Sequence, residues 1–405
     1  MLEEVMAELV CKLNSNELIE EILSLDTDRM KVVVLIGENG VGKSTLLAQF
    51  AERLVEQGRG AQVIAISNTP HDKFSRGDRA VHYLGQRDGN RYASEAIKES
   101  LRSPRNEIAT RVRKLAEVLE LMGYERVIGL ALENFNPHVT FDSNDSHVVA
   151  SSVTRKVAST VRDKLVGTTT PVVWLNLDNH EESRTGASFA PSLLSNEETL
   201  VAIGVCSGIR IILRKPISSA ALDKREVDLQ AASSGEISYL STMAWASSKV
   251  SEHCVLLIDE PENSLHPKWQ VRYIQCLQAL FRYERPLVVI ASHSPLLLAG
   301  EESGAFDILP YKIEEGRMAY AITTIDSGLE GVSWAAFGTL PSNNQYLSGL
   351  LIDLINQYCR DEISFDQALL TMDNLIGGCV GQDQREVIDA FKDALRIASN
   401  DKQKH

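Results

Sequence analysis

The period of the apolar positions changes several times along the 405-residue chain, and each change marks an element. "KVVVLIG" (31–37) is a short β-branched run of the kind buried on both faces of a parallel sheet. "KSTLLAQFAERLVEQG" continues at helical spacing and stops at a glycine. "AQVIAISN" (61–68) and "RAVHYLGQ" (79–86) predict two further strands, and 1–27 shows helical spacing that ends in an Asp/Thr-rich turn. From about 91 to 122 the pattern is helical and more basic, 133–150 is a polar loop, and "SSVTRKVASTVRDKLVG" is helical again. "VAIGVCSGIRIILRKP" and "REVDLQAA" alternate as a β-hairpin. "CVLLIDEP" (254–261) is an apolar strand tipped with acid, "PKWQVRYIQCLQALFRY" a helix, and "RPLVVIASHS" another buried strand. Beyond about 328 the pattern is helical, without repeats or sustained heptads. Strands alternating with helices predict an α/β fold with a helical insertion and a helical C-terminal tail.

Composition narrows the class without choosing a function. Hydrophobic content of 44% and charged content of 24% are ordinary for a globular protein. A net charge of −14 argues against broad, non-specific binding to nucleic acid. The six cysteines, Cys11, Cys206, Cys254, Cys276, Cys359 and Cys379, form no CxxC pair and suit a reducing compartment. "MLEEVMAELV" is acidic and amphipathic, unlike a signal peptide, and no apolar run approaches the roughly 20 residues that span a bilayer. A cytoplasmic location with no membrane contact is expected.

Candidate chemistry begins at "GENGVGKST", which fits G-x-x-x-x-G-K-[ST] between a predicted strand and a predicted helix. Glycines at Gly37, Gly40 and Gly42 let backbone N–H groups turn inward on phosphate oxygens, with Asn39 and Thr45 on the same loop. Lys43 has the reach for the β- and γ-phosphates, and Ser44 can offer an oxygen to Mg²⁺. Asp259 and Glu260 close a buried strand, the end at which ligands gather in open α/β sheets. Asp259 is the candidate Mg²⁺ holder and Glu260 the candidate general base. His293, one strand–helix unit later, is a candidate γ-phosphate contact. "NSLHP" offers Asn263, Ser264 and His266 for contact with a facing subunit. "ASSGEISYL" (232–240) reads locally as a helix cap, Ser233 or Ser234 with Glu236 in the first turn.

Taken in order, the phosphate loop, "SSGE", "DEP" and "SHS" resemble the nucleotide-binding domain of the ABC ATPase superfamily, within it the soluble RecF- and SMC-like branch. "DEPENSLHP" with "ASSGE" looks most like the stand-alone ATPases of bacterial anti-phage systems, such as the Septu ATPase and the ATPase half of OLD-family proteins. The resemblance covers roughly 28–95 and 195–310. It implies ATP and Mg²⁺ as cofactors. It makes Ala232, Ser233, Ser234, Gly235 and Glu236 a signature loop that closes, in a head-to-tail dimer, over the nucleotide of the other subunit. It maps the family's glutamine loop, which touches Mg²⁺, to Gln86. Ala232 and Glu236 at the ends of the signature suit the soluble branch rather than transporters.

The implied organisation is an ABC-type ATPase domain over 1–327, with a helical insertion at about 91–195, a β-hairpin before the signature, and a helical region at 328–405. Three functions stand open. The first is an ATP-dependent sensor and scaffold in a prokaryotic anti-phage complex, controlling a separate effector such as a nuclease and reaching nucleic acid through that complex. The second is a DNA-repair or chromosome-structure ATPase acting on DNA directly. The third is the energising subunit of a transporter. The tail after His293 lacks the acidic strands of an OLD-type nuclease, so effector chemistry is expected in a partner docked on the tail, where Trp334 and Phe337 lie in an apolar stripe.

Overall fold

The β-branched run at 31–36 lies inside an eight-stranded sheet, where its side chains are buried on both faces. The computed structural model describes residues 12–26, 28–57, 62–69, 73–74, 81–85, 91–102, 105–138, 152–165, 171–178, 182–217, 225–299, 307–315, 318–322, 328–338, 345–379 and 382–402. The first part comprises β1 (Lys12–Leu13), α1 (Ser15–Leu23), β2 (Lys31–Ile36), α2 (Lys43–Glu56), β3 (Val63–Ser67) and β4 (Val81–Gly85). An inserted region follows, with α3 (Arg91–Leu101), α4 (Arg105–Leu121), β5 (Val127–Glu133), α5 (Ser152–Leu165), β6 (Val172–Asn176) and α6 (Glu182–Ser195). It continues through α7 (Glu197–Ala202), β7 (Gly208–Arg214) and β8 (Glu226–Asp228). The chain returns to the main sheet through α8 (Ser234–Lys249), β9 (Val255–Asp259), α9 (Pro267–Phe281), β10 (Leu287–Ser292), β11 (Asp307–Glu314) and β12 (Met318–Ala321). Four helices follow: α10 (Gly328–Phe337), α11 (Gln345–Cys359), α12 (Phe365–Gly377) and α13 (Gln382–Lys402).

The strand order is β1-β12-β11-β2-β10-β9-β3-β4. The six strands from β11 to β4 run parallel, and β12 and β1 add an antiparallel edge. Register places Ser292 beside Ile36 and Ala291 beside Asp259, so β2, β10 and β9 end together. Strands leave β2 in both directions, and their carboxyl ends open the crevice in which such sheets bind ligands.

Alternation along β2 feeds two cores. Val32, Val34 and Ile36 join one core with α8, α9 and the inserted region, and Val33 and Leu35 join the other with Leu47 and Phe50 of α2 and Leu18 and Ile22 of α1. Each such side chain contributes about 1.5–3 kcal/mol relative to exposure. Helix α8 lies between the sheet and helices α3 and α4, so Ser238 to Ser248 are buried all round and its sequence shows no polar face. Tyr239 stacks on Trp269 and meets Tyr273 edge-on, which locks α8 to α9.

The expected hairpin is present, β7 pairing antiparallel with β8. The region at 91–195 is more than helical: β5 and β6 lie inside it and join β7 and β8 in a four-stranded antiparallel sheet. The polar loop expected at 133–150 starts later, since Glu133 still belongs to β5 and pairs with Gly208. β11 and β12 are likewise strands that the apolar pattern does not announce. The tail is helical, with its own core of Leu347, Leu351, Met372, Leu375, Ile388 and Leu395, while Ala336 of α10 belongs to the main core. Trp334 joins the two, packing against the tail core directly over Gly378, where an added Cβ would fall 2.2 Å from its ring.

Candidate functional site

The loop between β2 and α2 curls because Gly40 and Gly42 hold φ of 88° and 100°, left-handed values open to glycine. Gly42 caps α2 without a side chain, leaving the first amides of the helix for an anion. Gly37 donates its N–H to Ser292 O at 3.3 Å, tying the loop to the end of β10. Lys43 is 4% exposed and donates to Gly37 O at 2.8 Å and Glu38 O at 2.7 Å. Burial lowers its pKa, and Glu260, Glu262 and Asp259 pull it back up. Asn39 and Gly40 face a cavity of about 600 Å³ bounded by Lys312–Glu315, Ala336 and Phe337. Thr45 lies half-buried in the first turn of α2.

Ser44 donates to Asp259 Oδ1 at 2.9 Å, joining residues 215 positions apart. Asp259 is fully buried, and its Oδ2 has no hydrogen-bond partner. Burial pushes the carboxyl up to about 7, with the Ser44 hydrogen bond acting against it. A hydroxyl, a buried carboxylate and an unpaired oxygen form a donor set that fits a hard divalent cation such as Mg²⁺. Among the described residues no group of three His, Cys, Asp or Glu forms a metal cage by itself, so further ligands would come from phosphate and water. Gln86, the other candidate toward the cation, lies outside the described residues.

Glu260 has φ of 48°, a left-handed conformation that a non-glycine residue holds at a cost of about 1–3 kcal/mol. Its N–H donates to Ala291 O at 2.8 Å, and Asn263 Nδ2 donates to its Oε2 at 2.7 Å. Asn263 also donates to Asn68 O at 3.2 Å, so it braces Glu260 within the chain. His266 caps α9 by accepting from Lys268 N–H and is otherwise exposed. Ser264 is exposed with φ of 65°.

The residue that sequence reasoning passed over is Glu262. It is 5% exposed, and its Oε1 accepts from Ser292 Oγ and His293 N–H, both at 2.6 Å. His293 Nδ1 lies 3.0 Å from the same oxygen and 4.0 Å from Glu260 Oε1. The only trace of Glu262 in the sequence is a third acid two positions after Glu260, inside a motif whose first two acids already had roles. The hydrogen bond to Glu262 raises the His293 pKa, outweighing burial. Burial would raise Glu262, but hydrogen bonds from His293 and Ser292 hold it low. In Glu262→Gln the His293 titration midpoint is expected to fall, read by NMR across the pH range; an unchanged midpoint contradicts the pairing.

Ser233 caps α8 through a capping box: its N–H and Oγ donate to Glu236 Oε2, each at 2.9 Å, and its Oγ accepts from Glu236 N–H at 3.3 Å. Ser233 and Ser234 are exposed, while Gly235 is buried against the 264–265 backbone. A Cβ there would lie 2.2 Å from Ser264 O, so Gly235→Ala is expected to destabilise the chain by about 1–3 kcal/mol, seen as a lower thermal midpoint. A midpoint equal to the wild type would contradict that contact. Ser233–Glu236 line a cavity of about 930 Å³ together with Ser264, His266, Lys268 and Trp269, and none of the phosphate-loop residues lines it. Four basic residues of 91–122 form ion pairs within the chain: Lys98 and Arg102 with Glu197, Lys114 with Glu284, and Arg113 with Glu117.

Two stretches of the chain are similar to known protein families. Residues 21–165 match the family described as "ABC transporter", and residues 217–299 match that described as "AAA domain, putative AbiEii toxin, Type IV TA system". The chain carries an ABC-type ATPase domain. ATP binding and hydrolysis are the general activity of such domains, and the mixed α/β sheet with its phosphate loop is the corresponding fold. Among curated proteins, none matches the chain. Among solved structures it is similar to the "SMC head domain from Thermotoga maritima", at 16% identity over 40% of this chain and 59% of that one, with a TM-score of 0.21. No described helix of the ATPase is long and apolar enough to cross a membrane.

Proposed function

We propose that this ATPase works as a nucleotide-driven switch in which two copies pack head to tail and share each nucleotide. What supports the reading is the separation of two half-sites. Lys43, Ser44, Asp259, Glu260 and His293 gather at one crevice, while Ser233–Glu236 line another cavity. A serine-tipped helix N-terminus with no phosphate loop of its own is half of an anion site, and a second copy supplies the other half.

In this scheme Gly37, Asn39, Gly40, Gly42, Lys43, Ser44 and Thr45 hold the phosphates, and Lys43 exchanges its bonds to Gly37 O and Glu38 O for phosphate oxygens. Ser44 and Asp259 would hold Mg²⁺, which supplies charge neutralisation for the phosphates when bound. Glu260, braced by Asn263, accepts the proton of the attacking water. With Nδ1 of His293 beside Glu262, Nε2 is the ring atom left for a phosphate oxygen. Ser233, Ser234, Gly235 and Glu236 of the facing copy close over that phosphate. The ATPase domain spans 1–327, α10 packs onto its core, and the 328–405 region docks a separate effector, a nuclease, through which the complex reaches nucleic acid in the cytoplasm.

The role we infer is antiviral defence. It is supported by the "DEPENSLHP" and "ASSGE" motifs and by the match of 217–299 to a family whose description names a toxin–antitoxin system. The test is phage plating on bacteria carrying the chain with its neighbouring genes. Plating is expected to fall for the wild type and recover with Lys43→Ala; equal plating for both overturns the defence role.

A further inference from the structure

Glu236 joins two parts of the molecule. Its Oε2 accepts from Ser233 N–H and Oγ, and its Oε1 accepts from the Tyr124 hydroxyl at 2.8 Å. Tyr124 stands between α4 and β5 in the inserted region, 112 positions away, and is 4% exposed. Its place is fixed from several sides. Its N–H donates to Leu119 O at 2.9 Å, and Gly123 before it takes φ of 83° to end α4. The Lys215 ammonium lies 5.9 Å from the ring centre. Burial, then the Glu236 hydrogen bond, push the phenol well above its ordinary range, so it stays a donor at all working pH values.

Ser233 needs only the Glu236 capping box to start its helix, and one carboxylate oxygen suffices for that. The second oxygen, held by Tyr124, fixes the carboxylate in rotation and with it the exposed Ser233 hydroxyl, which stands next to the exposed Ser234. We infer that Tyr124 is a positioning residue for the signature serines, through which the inserted region sets how they are presented to the nucleotide of a facing copy. The inference rests on the head-to-tail reading above. It makes the inserted region a control point: displacement of β5 and α4 relative to α8 stretches the Tyr124–Glu236 bond and loosens the serines, without touching the phosphate loop.

Tyr124→Phe keeps the ring and removes the hydroxyl. Hydrogen bonds to a charged group are among the stronger ones, so kcat is expected to fall about tenfold, with KM and ATP affinity unchanged. Turnover is normalised to titrated ATP sites, so that loss of folded chain does not count as loss of rate. Glu236→Ala removes the acceptor, and Tyr124→Phe with Glu236→Ala is expected to turn over no more slowly than Glu236→Ala alone. Wild-type kcat in Tyr124→Phe, or losses that multiply in the double variant, would overturn the inference. Ser234→Arg separates the two levels. If it abolishes turnover while Tyr124→Phe is normal, only the positioning role falls; if it turns over normally, the shared site and the positioning role fall together.

Discussion

Replacing Glu260 by Gln is expected to lower ATP turnover by about a thousandfold while ATP stays bound, the middle of the range for loss of a positioned general base. The substitution is nearly isosteric, and a Gln carbonyl can still accept from Asn263 Nδ2, so the loop and its φ of 48° have no reason to change. What goes is the proton acceptor. Hydrolysis stops before the phosphates can separate, and the nucleotide-bound pair accumulates. The measurement is steady-state phosphate release beside an ATP-binding isotherm and the mass of the particle with ATP. Normal turnover in Glu260→Gln would move the base elsewhere.

Asp259→Asn is expected to do two opposite things. The buried carboxyl is raised to about 7 in the folded chain, above its unfolded value, so between those pH values the folded state holds more protons. Stability of the nucleotide-free chain therefore falls as pH rises from about 4 toward 7, and the Asp259 share of that loss is at most about 4 kcal/mol. Asn keeps an acceptor for Ser44 Oγ and carries no charge, so the metal-free variant should melt a few degrees higher at pH 8, with little difference near pH 4. The same change removes the anionic partner for the cation, so Mg²⁺-dependent turnover should be lost. A variant that melts lower at pH 8 and still turns over would contradict both the burial account and the metal role.

The parts legible in the sequence are those whose geometry is local. Gly40 and Gly42 announce a loop that only glycine fits easily, and the buried parallel strands at 31–36, 255–259 and 287–292 read as apolar runs because both their faces are covered. The capping box at Ser233 and Glu236 is a four-residue pattern, and it forms as read. Long-range pairing decided what was missed. β5 and β6 are fixed by antiparallel partners 41 to 85 positions away, and Pro310 interrupts the alternation of β11. Nothing local says that the Asn263 amide turns back on Glu260 and Asn68. Glu262 and Tyr124 act through partners 30 and 112 positions distant, a relation that spacing along the chain cannot show.

Sharing of each nucleotide between two copies is tested most directly by mixing two dead variants. Lys43→Ala lacks a working phosphate loop and Ser234→Arg lacks a working signature, so neither alone should turn over ATP. A head-to-tail pair made of one of each holds one complete site, from the Ser234→Arg phosphate loop and the Lys43→Ala signature. With random pairing of equal amounts and independent sites, about a quarter of the wild-type sites are restored. The predicted result is turnover that appears on mixing and rises toward that fraction; a mixture as inactive as its two components, under conditions where the two chains are shown to pair, would contradict the shared site.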